Sequence, residues 1–123
     1  MGMAKSFKNA GSDCRIVALE PASSPILSKG IKGAHNVEGV GLGFIPALYN
    51  PEYVHNVITI EESTARKTCR DLAIREGIFC GTSSGMNVAG ALKLSKDLGP
   101  KSKVVTVACD SGLKYLSEGL FDF

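Results

Sequence analysis

The stretch "GIFCGTSSGMNVAGALKL", residues 77–94, joins a short apolar run to a helical pattern through a turn of glycine, threonine and serine. A strand-like run that turns into a helix is typical of α/β domains. Residues 81–85 match G-x-S-x-G, the pattern that exposes a serine nucleophile in α/β-hydrolases. They equally suit a helix N-terminus that faces a polar ligand, or a plain helix cap, which is the commoner use of serine and threonine there.

The order of residues argues against a serine hydrolase that uses Ser83. In α/β-hydrolases an acidic residue and then a histidine follow the nucleophile along the chain. Asp110 follows Ser83, but both histidines, His35 and His55, precede it. The hydrolase remains an alternative that labelling of Ser83 by a serine-reactive phosphonate would support.

Hydrophobic periodicity predicts an α/β layer with a largely parallel sheet flanked by helices. Apolar runs predict buried strands, three- and four-residue spacing predicts helices, and a glycine- and proline-rich stretch predicts a long irregular connection. The predicted order is a helix over 3–9, a strand over 14–21, the irregular stretch 22–53, a strand over 57–60, helices over 61–77 and 86–99, and a strand over 103–112, the clearest of all.

Composition is that of one globular domain in a chain of 123 residues, 44% hydrophobic and 21% charged. A net charge of +2 gives no nucleic-acid footprint, and no apolar run is long enough to cross a membrane. The four cysteines are scattered without C-x-x-C or histidine at ligand spacing, which argues against a metal site. Lone cysteines in apolar surroundings indicate a reducing compartment, so a cytoplasmic protein is expected.

Alternating glycines mark a second segment of interest, "EGVGLG" at residues 38–43. Its spacing differs from the G-x-G-x-x-G of dinucleotide-binding loops. Glycines at Gly39, Gly41 and Gly43 indicate a backbone that something approaches closely, either another segment or a ligand.

Four motifs, in this order, resemble the C-terminal part of the cysteine synthase (O-acetylserine sulfhydrylase) family. They are "VALEPASSPILSKG" at 17–30, "GAHNVEGVGLGFIP" at 33–46, "REGIFCGTSSG" at 75–85 and "CDSGLKYLS" at 109–117. That family belongs to the fold-type II pyridoxal-phosphate (PLP) enzymes, with cystathionine β-synthase and the tryptophan synthase β chain. The resemblance implies a three-layer, tryptophan synthase β-like α/β fold and replacement of the β-substituent of an activated serine by sulfide.

The resemblance also implies the cofactor-binding residues. Ser83 takes the position of the family's partner for the pyridine nitrogen of PLP, with Thr82 beside it. Gly41 lies in the family's loop next to the cofactor, and Asp110 lies in a segment near the pyridine edge that usually reads P-S-S-G. A neutral serine partner leaves the ring mostly unprotonated, which suits elimination of a β leaving group.

The family's Schiff-base lysine segment, its substrate-carboxylate loop and its G-T-G-G-T phosphate cradle have no counterpart in residues 1–123. We therefore assign no catalytic residue and expect residues 1–123 to be a C-terminal portion that is inactive alone. The expected partners are an amino-acid substrate, a second subunit of a homodimer, and the missing N-terminal half or a full-length relative. A non-catalytic remnant that acts as a binding module stays open as a further alternative.

Overall fold

The computed structural model describes residues 1–122. Four helices and two strands make up its regular structure, in the order α1 Gly2–Asn9, β1 Val17–Pro21, α2 Ile26–Lys29, β2 Asn56–Ile60, α3 Glu62–Asp71 and α4 Thr82–Leu98. Three short helical turns complete this list. Two are 3₁₀ turns, at Pro51–Tyr53 and Gly112–Glu118, and the third is a π-helical turn at Leu72–Glu76 that extends α3.

The two strands form a parallel sheet, so the predicted α/β class with a parallel sheet is confirmed. Val17 of β1 pairs with Asn56 of β2, and the register runs on to Pro21 and Ile60. A connection of more than thirty residues separates the strands and is irregular apart from α2 and one 3₁₀ turn, as glycine and proline predict.

Helix α4 packs between α3 and the sheet. Its Met86 and Ala89 join Ile58 and Ile60 of β2 and Ala65 of α3 in the main apolar cluster. Glycine makes these contacts close: a Cβ at Gly90 would lie 2.7 Å from Leu19 of β1, and one at Gly85 would overlap the carbonyl of Ala65. The small residues of the predicted helix are therefore packing surfaces.

A second apolar cluster ties the end of the chain to the turn before α4. Cys69, Cys80, Tyr115 and Leu120 are all buried there. The guanidinium Nε of Arg70 donates to the carbonyl of Leu120 at 2.7 Å. The 3₁₀ turn at Gly112–Glu118, which was not predicted, thereby lies against α3 and the start of α4.

The predicted strand over 103–112 is wrong. Residues 103–109 form no ladder, and the one pairing nearby is an isolated antiparallel bridge between Ser111 and Cys80. Val105 is 90% exposed, because no strand within residues 1–122 pairs with this segment. Apolar, β-branched residues favour a strand only where a partner supplies the hydrogen bonds and the packing surface.

The remaining boundaries shift by a few residues. α4 begins at Thr82, inside the predicted turn, while α3 gives way to the π-helical turn at Leu72 and the whole helical stretch ends at Gly77 in the left-handed region. No helix within residues 1–122 is long and apolar enough to cross a membrane. Over the same residues, no group of three or more histidine, cysteine or acidic side chains is placed to hold a metal ion.

Candidate active site at the start of α4

The first turn of α4 is almost completely enclosed by protein. Gly81 is the N-cap, with extended backbone, and its carbonyl accepts hydrogen bonds from the amides of Ser84 and Gly85. Thr82 and Ser84 are fully buried, and Ser83 between them retains 8% of its exposure. The first amides of a helix have no intrahelical acceptor and carry the positive end of the helix dipole, so polar groups of a ligand are favoured here.

Thr82 carries the most informative atom of this turn. Its hydroxyl oxygen Oγ1 is buried and has no hydrogen-bond partner within residues 1–122. A buried hydroxyl left unpaired costs about 1–3 kcal/mol. The side chain is therefore a candidate to bind a polar atom from outside residues 1–122.

Ser84 has a structural role that differs from that of its neighbours. Its Oγ accepts a hydrogen bond from the amide of Cys109 at 2.8 Å. One turn further along, Asn87 donates through Nδ2 to the carbonyl of Val107 at 2.9 Å. These bonds hold the segment before Asp110 along the first two turns of α4.

Asp110 reaches the same helix start. A Cβ at Gly81 would lie 2.5 Å from its Oδ1, so glycine is required for the carboxylate to come this close. Tyr115 donates its hydroxyl to Oδ2 at 2.6 Å, and the ammonium of Lys114 lies 3.5 Å from the same oxygen. Oδ1 is buried and has no partner of its own in the described part of the chain.

Two buried thiols, those of Cys69 and Cys80, lie beside the first turn of α4. Cys69 donates to the carbonyl of Gly81 at 3.0 Å, and burial raises the pKa of its thiol to about 12. Burial also raises the pKa of Cys80. Both side chains therefore stay protonated at neutral pH and act as packing residues, since only the thiolate is nucleophilic.

Of the four residues predicted from the sequence, Thr82, Ser83 and Asp110 lie together at the start of α4, and Gly41 belongs to the glycine-rich loop whose Glu38 lies 3.8 Å from Lys114. Gly41 has a φ of 58°, and a Cβ there would overlap the imidazole of His35 and touch Pro21 at the end of β1. No hydrogen bond within residues 1–122 joins it to the start of α4. The backbone of Gly41 is therefore approached closely by another segment of the chain. This is one of the two explanations, a segment or a ligand, that the sequence left open for the alternating glycines.

Both histidine rings form hydrogen bonds with residues other than Ser83, so they give the hydrolase alternative no support. The Nε2 of His35 lies 2.9 Å from the carbonyl of Gly41. His55 accepts the amide of Ile16 at 3.0 Å through Nδ1. Neither ring is hydrogen-bonded to Ser83, as the general base of a serine nucleophile would be.

Sequence reasoning missed Tyr115 and Lys114. Both belong to the 3₁₀ turn, whose apolar spacing is too short to predict. The available signal was an aromatic residue five positions after an acidic one, with serine and glycine between them to start a helical turn. Burial and the hydrogen bond to Asp110 raise the pKa of Tyr115, which keeps it a hydrogen-bond donor at all ordinary pH values.

A sequence profile of the family described as "Pyridoxal-phosphate dependent enzyme" matches residues 1–110. A protein named "Cysteine synthase" from Staphylococcus aureus (strain Mu50 / ATCC 700699) is 40% identical over 122 residues, which are 99% of this chain and 39% of that protein. "Cysteine synthase B" of Campylobacter jejuni is 39% identical over 120 residues, 98% of this chain and 40% of the relative.

Solved structures agree with these relatives. The crystal structure of "Cysteine Synthase (OASS)" from Entamoeba histolytica superposes with a TM-score of 0.91 at 34% identity, covering 99% of this chain and 36% of that one. The chain thus spans about two fifths of the length of the proteins it matches. The resemblance to cysteine synthases is confirmed, and the chain belongs to the family of pyridoxal-phosphate dependent enzymes.

Proposed function

We propose that the start of α4 binds the pyridine edge of PLP in a cysteine synthase-type enzyme. The reaction would replace the β-substituent of an activated serine by sulfide and yield cysteine. In this proposal residues 1–123 are the C-terminal portion of the enzyme domain and supply one end of the cofactor site. The names of the relatives support the reaction, and the buried hydroxyl of Thr82 supports the place.

The residues at this helix start fit the pyridine edge of PLP. A ring nitrogen needs one hydrogen-bonding partner in a site closed to water, and serine and threonine hydroxyls both donate and accept. Ser83 is the one residue of Thr82–Ser84 with remaining exposure, and Thr82 Oγ1 is an unused polar atom beside it. Ser84 is already bound to Cys109, so it is left out of the proposed contacts.

Bound PLP would supply the electron sink that lets the β-substituent of the amino acid leave. The contribution of this chain is to place and enclose the ring. Ser83 orients the ring nitrogen, Thr82 adds a second polar contact, and the buried first turn of α4 keeps water away from both. Enclosure strengthens each of these hydrogen bonds, because the local dielectric constant is low.

Binding of pyridoxamine 5'-phosphate tests the site directly, because this form lacks the aldehyde that labels lysines at random. We expect saturable binding to the chain, measured by calorimetry. Ser83→Ala should weaken it about tenfold, the equivalent of one hydrogen bond of about 1.4 kcal/mol. Ser95→Ala, at an exposed position three turns further along α4, is the matched control and should change nothing.

Two outcomes would contradict the proposed site: no saturable binding to the chain, or equal affinity of the Ser83→Ala variant. A second measurement tests the assignment of the lysine to another part of the enzyme. PLP followed by borohydride should leave no stoichiometric adduct at one position in the intact mass. A single labelled lysine, such as Lys5 or Lys114, would mean that the chain carries its own attachment site.

A binding module is the second candidate, favoured by the exposed apolar side chains. Leu48 is 84% exposed and Val105 90% exposed, and both lie in irregular segments. Exposed apolar side chains that form a large patch are characteristic of surfaces that another protein covers. Sedimentation of the chain mixed with the Staphylococcus aureus cysteine synthase would show a complex if docking is its role, and two separate species if not.

A further inference from the structure

The imidazole of His35 is hydrogen-bonded through both of its nitrogens. Its Nε2 lies 2.9 Å from the carbonyl oxygen of Gly41, and its Nδ1 accepts the amide of Val37 at 3.3 Å. A carbonyl only accepts and an amide only donates, so the two bonds require a neutral ring with its proton on Nε2. The ring thereby links Val37, which is buried in the main apolar cluster, to the middle of the glycine-rich loop at residues 38–43.

The backbone of this glycine-rich loop has few other constraints. No backbone–backbone hydrogen bond ties residues 32–45 to another segment within residues 1–122. Gly39, Gly41 and Gly43 have φ values of 78°, 58° and 80°, a region that glycine enters and leaves without steric cost. A segment with so few backbone hydrogen bonds opens at low free energy, so its conformation depends on side-chain contacts.

Two side-chain contacts reach the loop, and they differ in strength. A Cβ at Gly41 would lie 2.3 Å from Nε2 of His35, so glycine is required for the ring to come this close. The other contact is the Glu38 carboxylate, 3.8 Å from the ammonium of Lys114, which in turn lies 3.5 Å from Asp110 beside the start of α4. This ion pair joins the loop to the candidate active site, but both side chains are more than half exposed, at 53% and 62%, so water weakens it.

The charged side chains near the His35 ring are bonded to other groups. The ring borders a cavity of about 630 Å³ between the loop and α3. There Glu62 accepts the amide of Asn36 at 2.8 Å, and Arg66 donates to the carbonyl of Glu118 at 3.2 Å. Neither side chain competes with the backbone groups for the ring nitrogens.

We propose that His35 is a positioning residue, whose Nε2–H holds the Gly41 carbonyl and fixes the glycine-rich loop in the conformation that receives the ligand of the candidate active site. The inference rests on the proposed function, since it concerns the same ligand. His35 acts through the loop, because the protein occupies both of its ring nitrogens. Without this bond the loop samples other conformations, and binding must then order it, which lowers the affinity.

The first test uses nuclear magnetic resonance of the chain without ligand. The ¹⁵N resonances of the His35 ring distinguish its two neutral tautomers, and we expect the form protonated at Nε2. Backbone order parameters of Gly39, Gly41 and Gly43 should be about 0.8 in the wild type and below about 0.6 in His35→Leu, which has no donor. His35→Gln retains an N–H donor and should restore the order, while His55→Gln is the matched control and should leave the loop unchanged.

The second test is the affinity for pyridoxamine 5'-phosphate. His35→Leu should bind it about tenfold more weakly than the wild type, and His35→Gln within about twofold of the wild type. A ring protonated at Nδ1, a result that needs no variant, would overturn the inference, as would equal order parameters in the wild type and His35→Leu. Equal affinities of those two proteins would overturn the positioning role and leave the proposed function standing, whereas no binding to the wild-type chain would overturn both proposals.

Discussion

The first turn of α4 and the segment at residues 103–109 lie side by side and differ sharply in burial. Thr82 and Ser84 are polar, yet they are fully enclosed. Val105 is apolar, yet it is 90% exposed. The hydrogen bonds of Ser84 and Asn87 join the two segments.

Buried polar residues and exposed apolar residues are the reverse of the usual distribution, and different interactions hold the two segments in place. The start of α4 is held by close packing against α3, where glycine allows contact with Ala65 and Cys69. The 103–109 segment is held by hydrogen bonds from α4, and six of its seven residues are exposed. Substitutions that add volume or remove a hydrogen bond in the first region should therefore be costly, and substitutions in the second region should be mild.

Gly85→Ala should have the largest effect. The added methyl group would overlap the carbonyl of Ala65 and lie 2.5 Å from the sulfur of Cys69, so α3 and α4 would have to separate. We expect a loss of about 3 kcal/mol in the free energy of unfolding, measured in urea. Gly2→Ala, where nothing lies within 4 Å, is the control, and an equal loss in both variants would refute the packing account.

Raising the pH should destabilise the protein through the buried thiol beside α4. The pKa of Cys69 is raised from 9.0 in the unfolded chain to about 12 in the folded one, so the folded state retains the proton longer. This stability is complete below pH 9 and disappears as the pH rises towards 12, with about 2 kcal/mol lost by pH 10.5. Cys69→Ala should flatten the slope, while alanine at the exposed Cys14 should leave it unchanged.

Ser84→Ala should have a smaller and more local effect. The amide of Cys109 would lose its acceptor, at a cost of about 1 kcal/mol. Hydrogen exchange of that amide should accelerate, whereas amides of the β1–β2 ladder should exchange as before. Unchanged exchange at Cys109 would mean that the segment is held by contacts other than this bond.

Val105→Thr should have the smallest effect, within about 0.5 kcal/mol, because the side chain is already in water. The same replacement of a buried residue, Ile58→Thr in β2, should cost several times more. A large loss for Val105→Thr, measured by the same urea unfolding, would show that this segment is covered in solution.

The sequence predicted most of the elements whose partners lie within the chain. Strands β1 and β2 and helix α4 follow from local apolar patterns, and these elements bury one another. The apolar pattern at 103–112 could not show whether a strand forms there. A strand also needs a neighbouring strand to pair with, and a local pattern gives no information about that neighbour. Thr82, Ser83 and Asp110 came from the resemblance, whereas the bond between Tyr115 and Asp110 depends on a 3₁₀ turn and was visible only in the structure.

The central claim is that the start of α4 is built for a ligand, and Thr82→Val tests it most directly. Valine has the shape of threonine without the hydroxyl that is buried and unpaired. The measurement is urea unfolding of both proteins with and without pyridoxamine 5'-phosphate. We predict that the variant is about 1 kcal/mol more stable than the wild type without ligand and gains less stability from the ligand. A variant that is less stable without ligand, or that gains as much from it, would contradict the claim.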